Sequence, residues 1–202
     1  FEKNYGKRKF ASFGISRGAI NVAMTAGVDK RLKYNVLVMG GSDIVGIFKH
    51  SNQRRLSEYR HTVMEAKGIT EDEFYRQLSE QIKSDPKYLA KYMNARDTLL
   101  ILGVFDRTVP YKYGRKLRKA LGLPRTLYLV ANHYTGLLFT QFIKAVPPVE
   151  PLCIFPLNVV EAEAMDFYDR TFTNQDFSWR LLPLKVIRVP IDLMAWFIDW
   201  VF

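Results

Sequence analysis

The chain has 202 residues, 48% hydrophobic and 25% charged, and carries a net charge of +10. That composition fits one soluble globular domain with a real core. The single cysteine, Cys153, excludes an internal disulfide framework and a cysteine-rich metal site, and its expected role is that of a small buried hydrophobe.

Phe1–Lys9 is charged and lacks the apolar run of a secretory signal, and a chain beginning with Phe1 reads as a processed form or a fragment. The short run of β-formers from Phe10 to Phe13 predicts a strand. It meets Gly14-Ile15-Ser16-Arg17-Gly18, and an apolar helix-forming segment follows at once from Ala19. A serine bracketed by glycines between a strand and a helix has a steric reading. The turn is tight enough to hold the serine at unusual φ/ψ, and side chains at either flank would collide with neighbouring strands. The turn lifts the hydroxyl clear of the sheet, and the helix N-terminus aims backbone N–H groups at developing negative charge.

After a polar break at Gly27–Arg31, Leu32–Met39 reads as a buried strand ended by Gly40-Gly41-Ser42-Asp43. From Ser51 to Met93 the chain turns charged, amphipathic and helix-prone. Thr70-Glu71-Asp72-Glu73 fits a capping box and Ser84-Asp85-Pro86 a helix start. The stretch is expected to be a helical cap inserted between two strands, spanning residues 47–94. Thr98–Val104 is an unbroken apolar strand, followed by the loop Phe105–Pro110. Tyr111–Leu121 is a helix closed by Gly122 and Pro124, and Arg125–Val130 is a further strand, leading into Ala131-Asn132-His133-Tyr134-Thr135-Gly136. Alternating strands and helices predict an α/β fold, a mostly parallel sheet with helices on both faces. Chemistry in such sheets gathers at the carboxyl ends of the strands. Ser16, Asp106 and His133 each lie just after a predicted strand. Of the three histidines, His50 sits in a polar, basic stretch and His61 on a cap helix, where solvated surface roles are expected. Asp43, ending the preceding strand, is the alternative acid.

Serine, aspartate and histidine in that order match one of the known triad orders, and here a resemblance can be named. GISRG resembles the nucleophile elbow of the α/β-hydrolases, LLILGVFDRTVP their acid strand and loop, and YLVANHYTG their histidine loop. The sequence is similar to the C-terminal half of a serine esterase or lipase of that superfamily, from about Lys9 to Gly136 and into the helix Pro156–Phe172. The resemblance implies a partial hydrolase core over residues 1–172, with Ser16 as nucleophile, His133 as base and Asp106 as the orienting acid. It further implies Gly14 and Gly18 as elbow glycines and the backbone N–H of Arg17 as an oxyanion donor. It implies no cofactor and no metal. The implied substrate is a small-molecule or lipid-like carboxylic ester. An amidase or peptidase of the same fold, and a catalytically inactive hydrolase-like binding or scaffold protein, stand as alternatives. The family pattern has further strands, and a second oxyanion donor, ahead of the elbow. Only Phe1–Ile15 precedes Ser16, so the sequence is read as a fragment with little turnover of its own.

Basic residues crowd Arg107–Val149 without an acidic one, but those within the Tyr111–Leu121 helix are expected on its solvated outer face. No stacking platform or recognition motif accompanies them, so no nucleic-acid partner is expected. Val146–Phe155 reads as a proline-bearing linker, and Asn158–Phe172 as a helix with Val159, Val160, Ala164, Phe167 and Phe172 in its apolar pattern and Glu161, Glu163, Asp166 and Asp169 on other faces. The apolar C-terminal tail, residues 173–202, is broken by Pro183 and Pro190. Its last stretch, as a helix, would rise ~20 Å against a hydrocarbon core of ~30 Å. Residues 179–202 are open to two readings, a peripheral membrane contact through Trp196 and Trp200, or packing on the hydrolase body or a second copy.

Overall fold

The computed structural model describes residues 9–136 and 159–173, together with a few helical residues between 186 and 198. The expectations for Cys153, for the 146–155 linker and for most of the 179–202 tail lie outside the described residues.

Four strands form one sheet: β1 (Phe10–Ile15), β2 (Leu32–Val38), β3 (Thr98–Gly103) and β4 (Arg125–Leu129). They pair in the order β1-β2-β3-β4, every pair parallel. Parallel neighbours need crossovers, and the chain supplies helices for them. Helix α1 (Arg17–Val28) joins β1 to β2, and α6 (Tyr111–Ala120) joins β3 to β4. Between β2 and β3 the chain runs through α2 (Ile44–His50), α3 (Arg54–Lys67), α4 (Glu71–Gln81) and α5 (Pro86–Leu89). After β4, α7 spans Val159–Thr173.

The strand period of two sorts the core into two layers. Val36, Val38, Leu99, Ile101, Leu127 and Leu129 face one way and pack with Val159, Val160, Ala164 and Phe167 of α7. Leu37, Leu100, Leu102 and Tyr128 face the other way, onto Ala19, Ala23 and Ala26 of α1 and Leu117 of α6. Helices therefore cover both faces, as the alternating pattern predicts. Each fully buried leucine contributes roughly 1.5–3 kcal/mol relative to exposure. The alanine face of α1 lets its backbone approach the sheet closely. A Cβ on Gly40, just beyond β2, would come 2.7 Å from Ala19 Cβ.

Three local details differ from the sequence reading. Helix α2 is not signalled, because seven residues are too few to display a helical period. The third helix of the excursion shrinks to α5 and a 3-10 turn at Ala90–Tyr92, and Ala90 and Met93 join the α1/α6 layer. The residues after Asp85 thus pack in the helical layer of the sheet. Lastly, Glu163 and Asp166 of α7 are buried, although acidic residues on this helix were expected away from its apolar face. Their partners explain the exception: Arg125 at the start of β4 pairs with Glu163, and Arg170, one turn on in α7, brings Nη2 to 2.9 Å from Asp166 Oδ2. Tyr168 adds a second tie, its hydroxyl donating to the Ser12 carbonyl at 2.8 Å.

Candidate active site

Because all four strands are parallel, the residues that follow β1, β3 and β4 emerge at one edge of the sheet. Ser16 follows β1 and stands directly before α1, at φ 55° and ψ −118°. The left-handed φ is costly for a residue with a Cβ, and two hydrogen bonds hold it. Ser16 N–H donates to Val38 O at 2.8 Å, and Ser16 O accepts from Ile20 N–H at 3.2 Å. Among the described residues, the Ser16 hydroxyl makes no hydrogen bond, and the Arg17 N–H at the first position of α1 donates to nothing.

The two elbow glycines are not equivalent. A Cβ on Gly14 would lie 2.5 Å from both the carbonyl carbon and oxygen of Gly18, and 2.7 Å from Ala19 N. The obstacle is the backbone of α1 rather than a neighbouring strand, so glycine is required there by the tightness of the turn itself. A Cβ on Gly18 would meet nothing within 4 Å among the described residues.

Asp106 lies in the loop after β3 and is 5% exposed. Its Oδ1 accepts the N–H groups of Thr108 at 2.9 Å and Val109 at 3.0 Å, which fixes the carboxylate plane. Its Oδ2 lies 2.7 Å from His133 Nδ1. A carboxylate only accepts, so Nδ1–H is the donor in this hydrogen bond, which in the neutral imidazole leaves the lone pair on Nε2. The histidine is carried by a turn tied to itself. Asn132 Oδ1 accepts from Tyr134 N–H and Thr135 N–H, both at 2.9 Å, and Thr135 Oγ1 accepts from Asn132 N–H at 2.9 Å. The structure brings Asp106 and His133 into contact. Ser16 stands at the same sheet edge with β2 between its strand and β3, and no hydrogen bond joins its hydroxyl to His133.

Asp43, the alternative acid, is committed elsewhere. Its Oδ1 caps α2 through Gly46 N–H, and its Oδ2 lies 2.6 Å from Lys116 Nζ. Partial burial opposes its ionisation, and the Lys116 hydrogen bond and charge outweigh that, holding the carboxyl below its ordinary value. His50 is exposed but not merely solvated: its Nδ1 lies 2.7 Å from the Tyr113 hydroxyl. His61 is exposed on α3, as expected.

Asp85 was legible in the sequence only as a helix cap. It is fully buried and accepts three backbone N–H groups, from Lys87 at 2.8 Å, Asp43 at 2.9 Å and Ile44 at 2.6 Å. It therefore clamps the loop after β2, next to the elbow strand, onto the end of the helical excursion. The Lys87 bond could be foreseen from Asp-Pro at a helix start, but the bonds to Asp43 and Ile44 had no local signal. No group of three His, Cys, Asp or Glu side chains suited to a metal ion occurs among the described residues. No helix among them is long and apolar enough to cross a membrane.

Solved structures match this arrangement of a parallel sheet with flanking helices. The fold is that of the α/β-hydrolases. An esterase of Pyrococcus furiosus matches with a TM-score of 0.56 at 12% identity, over 84% of this chain and 57% of its own. The acylaminoacyl peptidase of Pyrococcus horikoshii matches with a TM-score of 0.51 at 18% identity, over 80% of this chain and 24% of its own. The present chain thus spans about a quarter of the peptidase and somewhat over half of the esterase. No protein-family model matches the sequence, and no curated protein matches it.

Proposed function

We propose that this chain carries the catalytic residues of a serine hydrolase that cleaves carboxylic esters. The observation that supports this most is the 2.7 Å contact between His133 Nδ1 and the buried Asp106, at the sheet edge where Ser16 is held at φ 55°. In the proposed reaction His133 Nε2 takes the proton of the Ser16 hydroxyl as the oxygen attacks the ester carbonyl. The carbonyl oxygen becomes an oxyanion, received by the Arg17 N–H. His133 then returns the proton to the departing alkoxide, leaving an acyl-serine that water opens by the same steps. Asp106 keeps the tautomer and stabilises the imidazolium. One such oxyanion donor is commonly worth ~3 kcal/mol of transition-state stabilisation.

The same machinery serves amides. The ester reading is preferred because the esterase matches with the higher TM-score, 0.56 against 0.51 for the peptidase. Helices α2–α4 are proposed as the cap that bounds the substrate site. The test is labelling of the protein by a fluorophosphonate probe. The wild type should be labelled and Ser16→Ala should not. An unlabelled wild-type protein, folded by circular dichroism, would refute the proposal and leave the scaffold reading.

A further inference from the structure

Met39 immediately follows β2 and is one of the few non-glycine residues with a left-handed backbone, at φ 51°. Such a conformation is unfavourable for a residue with a Cβ, so something must over-determine it. Its N–H still donates to Ile101 O at 2.7 Å, which extends the β2–β3 ladder by one residue through the turned backbone. The side chain is 3% exposed and packs with Val38, Ile101, Leu129 and Ala131.

The thioether tip occupies a notch made by two glycines. A Cβ on Gly103 would lie 2.9 Å from Met39 Cε. A Cβ on Gly136 would lie 2.7 Å from Met39 Sδ and collide outright with Met39 Cε. Each glycine closes one of the two loops that hold the His133–Asp106 pair. Gly103 ends β3, and its carbonyl accepts the Asp106 N–H at 3.1 Å. Gly136 ends the histidine turn, its N–H donating to Asn132 O at 2.8 Å. The loops also meet directly, Phe105 N–H donating to Ala131 O at 3.1 Å. A single side chain from β2 thus fills the space beneath both loops, while neither catalytic residue touches it through a polar bond.

We infer that Met39 is a positioning residue: its side chain, seated against Gly103 and Gly136, sets the spacing of the two loops and with it the hydrogen bond between His133 and Asp106. The consequence for turnover rests on the serine hydrolase reading above, whereas the consequence for the hydrogen bond does not. Shortening the side chain leaves a hole under the histidine turn. A misplacement of about 1 Å in catalytic groups costs about 10²-fold in rate.

The experiment reads both levels. The His133 Nδ1–H proton, bonded to a carboxylate, gives a far-downfield resonance in a proton NMR spectrum of the chain, assigned by its loss in His133→Gln. Met39→Ala should broaden or erase that resonance and lower the labelling rate of Ser16 by about 10²-fold. Met39→Leu, which keeps most of the volume, should retain both signals. Gly136→Ala alone should disturb the resonance by its clash with Met39. Combined with Met39→Ala it should restore the resonance in part, because the new Cβ enters the vacated space. A folded Met39→Ala variant with an unchanged resonance would overturn the inference, as would Gly136→Ala leaving it untouched. Absence of labelling in a wild type whose resonance responds as described refutes the hydrolase reading and leaves the positioning role standing.

Discussion

The asymmetry of the two elbow glycines gives a direct test of what makes the turn around Ser16. In Gly14→Ala the new Cβ would sit 2.5 Å from two backbone atoms of Gly18 and 2.7 Å from Ala19 N. Comfortable contact needs about 3.5 Å, so close to 1 Å of movement is required, and no flexible side chain can supply it. Overpacking of this kind costs about 1–3 kcal/mol, and the upper end is expected because helix and strand must part. In Gly18→Ala the Cβ meets nothing within 4 Å, and position 18 is helical. Alanine there gains up to about 1 kcal/mol over glycine. The two variants should therefore differ by roughly 2–4 kcal/mol, or about 4–16 °C in melting temperature for a domain of this size. Thermal unfolding followed by circular dichroism measures it. Gly14→Ala should also slow labelling of Ser16, since the parting of β1 and α1 moves the hydroxyl and the Arg17 N–H together. Equal melting temperatures for the two variants, or a greater loss in Gly18→Ala, would refute the steric account of the elbow.

Other consequences follow from single contacts. Asp106→Asn should leave the fold intact, because the amide oxygen still accepts from Thr108 and Val109. It should reduce labelling by about 10⁴-fold, because an amide N–H₂ facing Nδ1 favours the wrong tautomer. Asp85→Ala orphans the N–H groups of Asp43, Ile44 and Lys87 and should destabilise the chain by about 3 kcal/mol or more, at about 1–3 kcal/mol for each group left dry; an unchanged urea midpoint would contradict the clamp. Burial first, and the Asp43 charge second, push the Tyr113 phenol from its usual 10 up to about 12. The folded state therefore holds this proton more tightly than the unfolded chain does. The contribution to stability is complete below pH 10 and is lost as pH rises from 10 to about 12. Absorbance titration of tyrosinate should show a late transition that Tyr113→Phe removes.

How far the site was legible depends on the range of the interaction that makes it. GISRG is readable because strand, turn and helix are adjacent in the chain and the turn's steric demand falls on near neighbours. The symmetrical pattern nonetheless hides that Gly14 alone faces the helix backbone. His133 and Asp106 were picked out by their positions after apolar strands, and the parallel order β1-β2-β3-β4 delivers them to one edge. Other residues gave no such sign. His50 looked merely solvated because its partner, Tyr113, comes from α6. Glu163 of α7 looked like a surface residue because its partner, Arg125, arrives from β4.

The amino-acid sequence by itself determined the strands, as unbroken apolar runs, the helices long enough to repeat their period, and the three strand-end residues that carry the proposed chemistry. These are local properties, set by burial and backbone preference over a few residues. Tertiary structure alone decided that Asp85 closes on the loop after β2, that Asp43 turns to Lys116 instead of the histidine, and that Met39 fills the notch under the His133 and Asp106 loops. Each joins segments far apart in the chain, and their meeting depends on strand register and helix placement, to which no single stretch of residues holds the key.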